Sequence, residues 1–189
     1  KPPQGSNAPY AGWGYNTSEG AMRMPMIARW PGRIPAGREC RELCSMLDIL
    51  PTFEALAGAP LPRQAIAGHD IRPLLLDEAG ARSPTDEKGF FYYHMDQLQA
   101  VRSGPWKLYL PLKAKRGNLG NKREPSPLRL FNVREDVREE QEVSAQHPDI
   151  VARLTRLAEA ARREIGDDNQ PGTGQRPAGH SENPTARVP

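Results

Sequence analysis

One stretch of this sequence, residues 6–20, combines the glycines, aromatic rings and amide groups that a ligand-binding loop needs. Its centre reads Trp13, Gly14, Tyr15 and Asn16. Glycines let the backbone pass close to a bound molecule or adopt positive φ, and binding sites tend to form on loops set against a rigid strand. Trp13 and Tyr15 could line a pocket wall, although packing within the loop explains them equally well. We therefore treat these four residues as candidate substrate-binding residues.

Elsewhere the sequence offers little that could carry a reaction. His94 ends an aromatic run close to Asp96 and could reach a substrate, but a partly exposed histidine at a strand end is the commoner case. His69 and His180 have no second ligand at metal spacing, and the sequence contains no Ser-His-Asp order, P-loop or dinucleotide glycine motif. The sequence therefore assigns no catalytic residue and no metal ligand in this chain, and His94 joins the candidate substrate-binding residues.

The two cysteines, Cys40 and Cys44, are four positions apart, a spacing that could place both on one face of a helix. A metal site would need further ligands nearby, and the first histidine downstream is His69. We expect Cys44 to pack in the core and Cys40 to carry a half-exposed thiol.

The composition is that of a loop-rich globular protein, with 37% hydrophobic residues, 20 prolines and 17 glycines among 189 residues. A net charge of +3 does not favour nucleic-acid binding and does not exclude an anionic substrate. Five basic residues between positions 113 and 123 flank a Gly-Asn-rich turn, as is typical of a solvated hairpin. No window approaches 18 apolar residues, so we expect no membrane span. The chain begins with neither a methionine nor a signal peptide, so we expect it to be part of a longer protein.

The elements that must hold the loop follow it directly. Residues 22–30 form an apolar run closed by a Pro-Gly pair, which predicts a buried strand of a parallel sheet whose neighbours lie outside this chain. A helix is predicted over residues 51–57, with Ser45 or Asp48 as its cap and Gly58 at its end.

After residue 90 the sequence changes to a strand pattern. A helix over residues 148–165 has apolar side chains at steps of three and four, Leu154 among them, and would cover one face of the resulting sheet. From residue 167 onward almost no apolar residue remains, which predicts an irregular tail, disordered or laid over the surface. The predicted strands of this antiparallel sheet are residues 90–94, 98–102, 106–110 and 128–133.

Six short motifs resemble those of sulfatases of the arylsulfatase type. Each is weak alone, but six in the family's order are strong, and the resemblance covers residues 6 to about 166. The motifs are E-G-A-M-R-M-P at residues 19–25, A-R-W-P-G at 28–32, I-P-A-G at 34–37, S-M-L-D-I-L-P-T-F at 45–53, G-H-D-I-R-P-L-L at 68–75 and A-V-R-S-G-P-W-K-L at 100–108.

The resemblance implies an α/β fold class, which becomes α+β in this fragment. Residues 1–80 would be the last strands and helices of an alkaline-phosphatase-like α/β domain and would carry the substrate loop 6–20. Residues 90–166 would form a C-terminal subdomain of a small antiparallel sheet covered by one helix. The irregular tail, residues 167–189, would follow it.

The resemblance also implies a reaction. In this family, sulfate esters are hydrolysed by a formylglycine made from the cysteine of a C-x-[PA]-x-R motif, beside a calcium ion held by acidic residues and an asparagine. Neither Cys40 nor Cys44 begins that motif. We therefore expect the nucleophile and the calcium ligands to lie outside this chain, in a missing N-terminal part of the enzyme, and the chain alone to be inactive.

The family has a further site residue, a lysine that contacts the sulfate in the motif G-K-G-T-T-[WYF]-E-G-G. Aligning on Glu19 and Gly20 without a gap places Gly14 at that position. Because a glycine cannot replace a charge-assisted contact, either Lys1 or Arg23 supplies the cation, or the parent enzyme handles a different ester. We expect Arg23 to be structural and to pair with Glu19 beneath the loop.

Two interpretations remain open. In the first, the chain is the C-terminal part of a sulfatase acting on a small-molecule or glycan sulfate ester, periplasmic or secreted if it is like the family. In the second, it is a non-catalytic binding or assembly module derived from such an enzyme. A C-x-[PA]-x-R motif in the upstream reading frame would favour the first interpretation, and a start codon just before Lys1 would favour the second.

Overall fold

The computed structural model describes residues 5–94, 96–116, 122–176 and 182. Short helices occupy the first half, and strands followed by one long helix occupy the second. In chain order the elements are α1 (Glu19–Met22), a 3-10 turn (Met46–Asp48), α2 (Ile49–Ala57), α3 (Arg72–Leu75), α4 (Thr85–Lys88), β1 (Phe90–His94), β2 (Gln97–Ser103), β3 (Trp106–Tyr109), β4 (Lys115–Arg116), β5 (Lys122–Arg123), β6 (Arg129–Asn132), α5 (Pro148–Glu164), β7 (Gly166–Asp167) and β8 (Gln170–Pro171).

Strands β1, β2, β3 and β6 form one antiparallel sheet in that order. A two-residue turn with Gly104 at positive φ joins β2 to β3. A shift of register between Tyr92 and Tyr93 interrupts the pairing of β1 with β2. The predicted small antiparallel sheet is confirmed.

Helix α5 packs on one face of this sheet, as predicted. Leu154, Ala158 and Ala161 project from it into a core whose members are at most 2% exposed. Burying large apolar side chains contributes about 1.5–3 kcal/mol each, which holds the helix against the strands. The helix begins with Pro148, ends at Glu164 and leaves Ile165, predicted to belong to the apolar stripe, 44% exposed. The strand residues of the core and its margin are Leu98, Val101, Leu108, Leu110 and Leu130.

The opposite face of the sheet is covered by the 6–20 loop and helix α1. Thr17 and Glu19 are buried there, at 3% and 0% exposure. The loop closes on itself where the Gly20 N–H donates to the Ala11 carbonyl at 2.8 Å. A Cβ at Gly20 would lie 2.4 Å from the Gly12 carbonyl oxygen, so this closure requires glycine. The loop is therefore anchored at its C-terminal end.

The helix predicted after Ser45 is present as α2, and the capping hydrogen bonds form at the 3-10 turn that leads into it. The Ser45 hydroxyl accepts the Leu47 N–H at 3.2 Å, and the Asp48 carboxylate accepts the Ser45 N–H at 2.7 Å. Gly58 ends helix α2 in the left-handed conformation, with φ of +67°.

The strand predicted over residues 22–30, with neighbours outside this chain, is not formed in this chain alone. Residues 23–30 pair with no strand of the described chain. Met24, Met26 and Ile27 are 72%, 53% and 95% exposed. The physical reason is that a strand forms only when its backbone hydrogen-bonds to a neighbouring strand. The sequence pattern shows that residues 22–30 are apolar, but it does not show which strand would pair with them. That the neighbours lie in a missing part of the enzyme stays a prediction.

We expect the amides of residues 24–29 to exchange rapidly with deuterium in this chain alone. No hydrogen bond from these amides is present among the described residues, and three of the side chains are exposed. Hydrogen exchange read by mass spectrometry would test this, with strand β2 as the protected internal reference. Strong protection of residues 24–29 in the isolated chain would contradict it.

Two short hairpins complete the described chain. Strand β4 pairs with β5, as the basic segment predicted, while residues 117–121 lie outside the described residues. Strand β7 pairs with β8 through Asp168 and Asn169, both at positive φ. Residues 167–171, placed by the sequence in the irregular tail, thus lie over the end of α5.

Candidate functional site

The tip of the 6–20 loop points its aromatic rings at solvent. Trp13 is 72% exposed and Tyr15 is 90% exposed, with Tyr15 at φ of +60°. Positive φ is uncommon for a non-glycine residue and costs about 1 kcal/mol or more. The Asn16 amide stabilises this conformation by donating to the Trp13 carbonyl at 3.0 Å and accepting the Ser18 N–H at 2.9 Å. The two rings are therefore held outward rather than packed within the loop.

Gly14 stands in open space between those rings. A Cβ built there would meet no atom within 4 Å, and its φ lies outside the left-handed region. Neither packing nor backbone conformation therefore requires a glycine at this position. A side chain could therefore start here without a clash at its Cβ.

His94 lies half-buried at the end of β1 and is joined to the loop through one side chain. The Gln99 amide donates to the His94 carbonyl at 3.2 Å, and its oxygen accepts the Thr17 hydroxyl at 3.3 Å. Thr17 directly follows Asn16. The structure thus connects the strand end to the base of the loop through Gln99.

The strongest electrostatic feature lies beneath the loop and was missed by the sequence reasoning. Glu19 is fully buried and forms ion pairs with Lys107 at 2.9 Å, Arg102 at 2.9 Å and Arg23 at 2.6 Å. Lys107 is also fully buried and contacts Glu139 at 3.3 Å. We call these five residues the ion cluster. The predicted Arg23 pairing is confirmed, but Arg23 is the most exposed member of a larger network.

The charged groups of the ion cluster shift one another's pKa values. Burial works to raise the pKa of Glu19, but the neighbouring ammonium and guanidinium groups outweigh it and hold that pKa below its usual range. Burial lowers the pKa of Lys107, against the opposing influence of Glu19 and Glu139. Glu19 is therefore ionised at neutral pH although no water reaches it.

Two tyrosines enclose the buried ammonium group. The Lys107 nitrogen lies 4.5 Å from the centre of the Tyr92 ring and 4.9 Å from that of Tyr109. Burial raises the pKa of both phenols, so each stays protonated at neutral pH. The Tyr109 hydroxyl donates a hydrogen bond to the Glu139 carboxylate at 2.5 Å. The Lys107 ammonium also donates to the Thr17 carbonyl at 2.7 Å, which ties the loop backbone directly to the sheet.

A signal for the ion cluster does exist in the sequence. Arg102 and Lys107 lie directly opposite each other on antiparallel strands joined by a two-residue turn. Like charges at such a pair are destabilising unless a carboxylate lies between them. The predicted hairpin therefore required an acidic partner on that face, but only the folded chain shows that Glu19, 88 residues before Lys107, supplies it.

A cavity of about 270 Å³ opens beside the ion cluster, between loop residues 16–18 and strands β3 and β6. Its wall combines polar groups with two aromatic rings and one guanidinium group. The lining residues used below are Asn16, Ser18, Tyr109, Arg129, Phe131 and Glu139.

The cysteines do not form a reaction centre in the described chain. Cys40 is exposed and Cys44 is half-buried, and neither is in a disulfide. Burial, with smaller contributions from Cys40 and Asp48, raises the pKa of the Cys44 thiol to about 12, so it is protonated at neutral pH. Within residues 5–94, 96–116, 122–176 and 182, no three His, Cys, Asp or Glu side chains come together to hold a metal. None of the described helices has the length and apolarity to cross a membrane.

Comparison with known proteins identifies a family for this chain. The family model of the C-terminal region of aryl-sulfatase matches residues 85–186, just over half of the chain. N-acetylgalactosamine-6-sulfatase from Canis lupus familiaris is 42% identical over 106 residues, which cover 56% of this chain and 19% of that protein. Arylsulfatase G from Rattus norvegicus is 33% identical over 167 residues, which cover 81% of this chain and 31% of that protein.

Among solved structures, a sulfatase-like chain from work on glycosaminoglycan metabolism by Bacteroides thetaiotaomicron aligns with a TM-score of 0.66 and 25% identity. The alignment covers 81% of this chain and 32% of that one. This chain belongs to the sulfatase family and corresponds to the C-terminal region of aryl-sulfatase. It spans between about a fifth and a third of the length of the three relatives described here.

Proposed function

We propose that this chain is the C-terminal part of a sulfatase that hydrolyses sulfate esters, with the nucleophile supplied by residues outside it. The family match over residues 85–186 is the observation that carries the proposal. The ion cluster supports it, because the Lys107 ammonium donates to the Thr17 carbonyl and to the Glu19 carboxylate and so anchors the base of the loop on the sheet. A preoriented loop is what a substrate-positioning element requires.

Calcium would serve such an enzyme by offsetting the charge of the sulfate. The carboxylates of the described chain do not form a site for it, since Glu19 and Glu139 are already paired with buried cations. We therefore propose that its ligands, like the nucleophile, are supplied from outside this chain. The residues of this chain would bind and orient the ester.

The proposed ester-binding residues are the exposed loop tip and the strand end. Trp13 and Tyr15 would stack on the alcohol part of the ester, Asn16 would hold them in place, and His94 would approach from the sheet. The relative named N-acetylgalactosamine-6-sulfatase points to a sugar sulfate, and we propose a small-molecule or glycan sulfate ester as substrate. Gly14 leaves open the position where the family has its sulfate-contacting lysine.

The partner of this chain would be the N-terminal part of the same enzyme. Met24, Met26 and Ile27 are exposed, and so are Leu50 and Phe53 of α2, at 50% and 60%. Met26 and Phe53 line a common cavity of about 280 Å³. Patches of this kind mark surfaces that pack against another part of a protein.

An activity assay separates the sulfatase proposal from a non-catalytic binding module. We expect this chain alone to show no turnover of an aryl sulfate in the presence of calcium, because removing a covalent nucleophile abolishes nearly all rate enhancement. The same chain, extended by the upstream residues of its reading frame so as to include a C-x-[PA]-x-R motif, should be active. Turnover by the short chain would overturn the assignment of roles.

The open position at residue 14 provides the second arm of the assay. If the extended chain is inactive and becomes active on Gly14→Lys, the glycine marks a degenerate site, and the binding-module function is favoured. Gly5→Lys, another glycine with open space around its Cβ, is the matched control and should change nothing.

A further inference from the structure

We propose that the cavity between the 6–20 loop and the sheet is a subsite for an anionic sugar ring, held by Arg129, next to the sugar whose sulfate ester is cut. This inference rests on the function proposed above. It concerns a place that adjoins the loop tip at Asn16 and lies on the side of the loop that faces strands β3 and β6.

Arg129 is the group that would recognise the anion. Its side chain is exposed at the start of β6, and its guanidinium carbon lies 5.0 Å from the centre of the Tyr109 ring and 5.7 Å from that of Phe131. Cation–π contacts with two rings restrain the position of the guanidinium group, which reduces the entropy lost on binding. A planar guanidinium group donates two parallel hydrogen bonds to a sulfate or a carboxylate.

The carboxylates near Arg129 are already engaged by other donors. Glu139, on the cavity wall, accepts the Tyr109 hydroxyl at 2.5 Å and the Glu19 N–H at 3.1 Å, and lies 3.3 Å from Lys107. Glu142, also close enough to interact with Arg129, accepts the N–H groups of Leu130 at 2.9 Å and Ser144 at 2.7 Å.

The charge that faces the cavity favours an anion over a neutral sugar. Two charged residues line it, Arg129 and Glu139, and the Glu139 carboxylate lies 3.3 Å from the buried Lys107 ammonium and accepts the Tyr109 hydroxyl. The charge of Glu139 is thus offset within the ion cluster, whereas Arg129 is exposed. An exposed guanidinium group attracts ligands of negative charge.

The size and the remaining wall define the rest of the ligand. A volume of about 270 Å³ is slightly below the ~300–1,000 Å³ typical of ligand pockets, so it suits one ring and not a longer segment. Ser18 and Ser126 bring hydroxyl groups to the wall, and the Tyr109 and Phe131 rings bring apolar surface. Hydroxyls beside aromatic rings are the surface that a sugar ring complements. The ring would carry either a sulfate or a uronate carboxylate.

Equilibrium binding to this chain tests the subsite. The probes are N-acetylgalactosamine 6-sulfate, glucuronate and uncharged N-acetylgalactosamine, measured by NMR titration. We expect at least one anionic sugar to bind and to shift the signals of residues 16–18 and 129, and the neutral sugar to bind at least about 10-fold more weakly, since a hydrogen bond to a charged group contributes about 1.5–3 kcal/mol. Which of the two anions binds more tightly identifies the sulfated or the uronate ring.

The variants isolate the charge of residue 129. Arg129→Gln keeps a planar amide over the two rings and should weaken anionic-sugar binding about 10-fold, and Arg129→Lys should weaken it less because it keeps the charge. Arg156→Gln, on the exposed side of α5 across the sheet, is the matched control and should bind as the parent does. Equal thermal melts establish that each variant is folded.

The subsite proposal and the sulfatase proposal can be disproved independently of each other. Unchanged binding in Arg129→Gln, equal binding of the neutral sugar, or equal weakening in Arg156→Gln would overturn the subsite, whatever the aryl sulfate assay shows. An inactive extended chain would overturn the sulfatase function, whatever the sugars do, because the binding measurement involves no turnover.

Discussion

Glu19→Gln should destabilise this chain by about 3–5 kcal/mol, more than any other single amide-for-acid replacement in it. The side chain keeps its size but loses its charge, so Lys107 and Arg102 stay buried with only Glu139 to compensate them. An uncompensated buried charge is costly because desolvation is no longer offset by attraction. The measurement is urea unfolding followed by circular dichroism, compared with the parent chain.

The matched control for this change is Glu140→Gln. Glu140 is 68% exposed and lies 3.9 Å from its partner Arg138, so its loss should change stability by less than about 0.5 kcal/mol. The double variant Glu19→Leu with Lys107→Met removes two opposite charges together and should be less destabilised than the sum of the single variants. Equal stability of Glu19→Gln and Glu140→Gln would show that the ion cluster is not what holds the loop.

The same carboxylate makes stability depend on pH in a defined window. The pKa of Glu19 is lowered in the folded chain from an ordinary value of 4.5. On acidification the unfolded chain therefore protonates Glu19 at a higher pH than the folded chain does. The contribution of Glu19 to the free energy of unfolding is fully present above pH 4.5 and is lost as the pH falls through the lowered pKa. The free energy of unfolding should fall more steeply on this acidic side in the parent than in Glu19→Gln.

The comparison of sequence with structure shows which features are local. The cap at Ser45, the stop at Gly58 and the turn at Gly104 follow from residues a few positions apart, and all were predictable. The antiparallel sheet was predictable as well, because consecutive strands with short turns leave few alternatives. Two of the motifs that resemble those of sulfatases, at residues 45–53 and 100–108, lie in these same elements.

The features that escaped prediction depend on contacts distant in sequence. Glu19 reads as a polar loop residue, and nothing near it indicates that Lys107 and Arg102 will surround it. The run at residues 22–30 was predicted to be a strand with neighbours outside this chain, and in this chain alone its apolar side chains are exposed, so that prediction stays open. A pattern of apolar residues indicates that a segment would be stable as a buried strand, but only the folded structure shows whether a neighbouring strand is there to bury it.

Leu154→Asp should remove most of the stability of the sheet-and-helix unit, by about 4–5 kcal/mol. Leu154 is fully buried where α5 meets the strands, in the cluster that contains Leu98 and Leu108. The change deletes an apolar side chain and places a carboxylate where the described residues of that core offer it only apolar neighbours. Because a folded domain is stable by only about 5–15 kcal/mol, this loss should lower the melting temperature sharply or abolish the helix signal.

The control is Ala160→Asp, which adds the same charge to the exposed side of the same helix. Its cost should stay within about 1 kcal/mol, the difference in helix propensity between the two residues. A circular dichroism melt of Leu154→Asp indistinguishable from that of the parent would sink the claim that α5 docks on the sheet. A large effect in Ala160→Asp as well would assign the loss to helix formation and not to packing. The docked helix matters for function because it fixes one face of the strands whose other face carries Lys107, and through Lys107 the substrate loop.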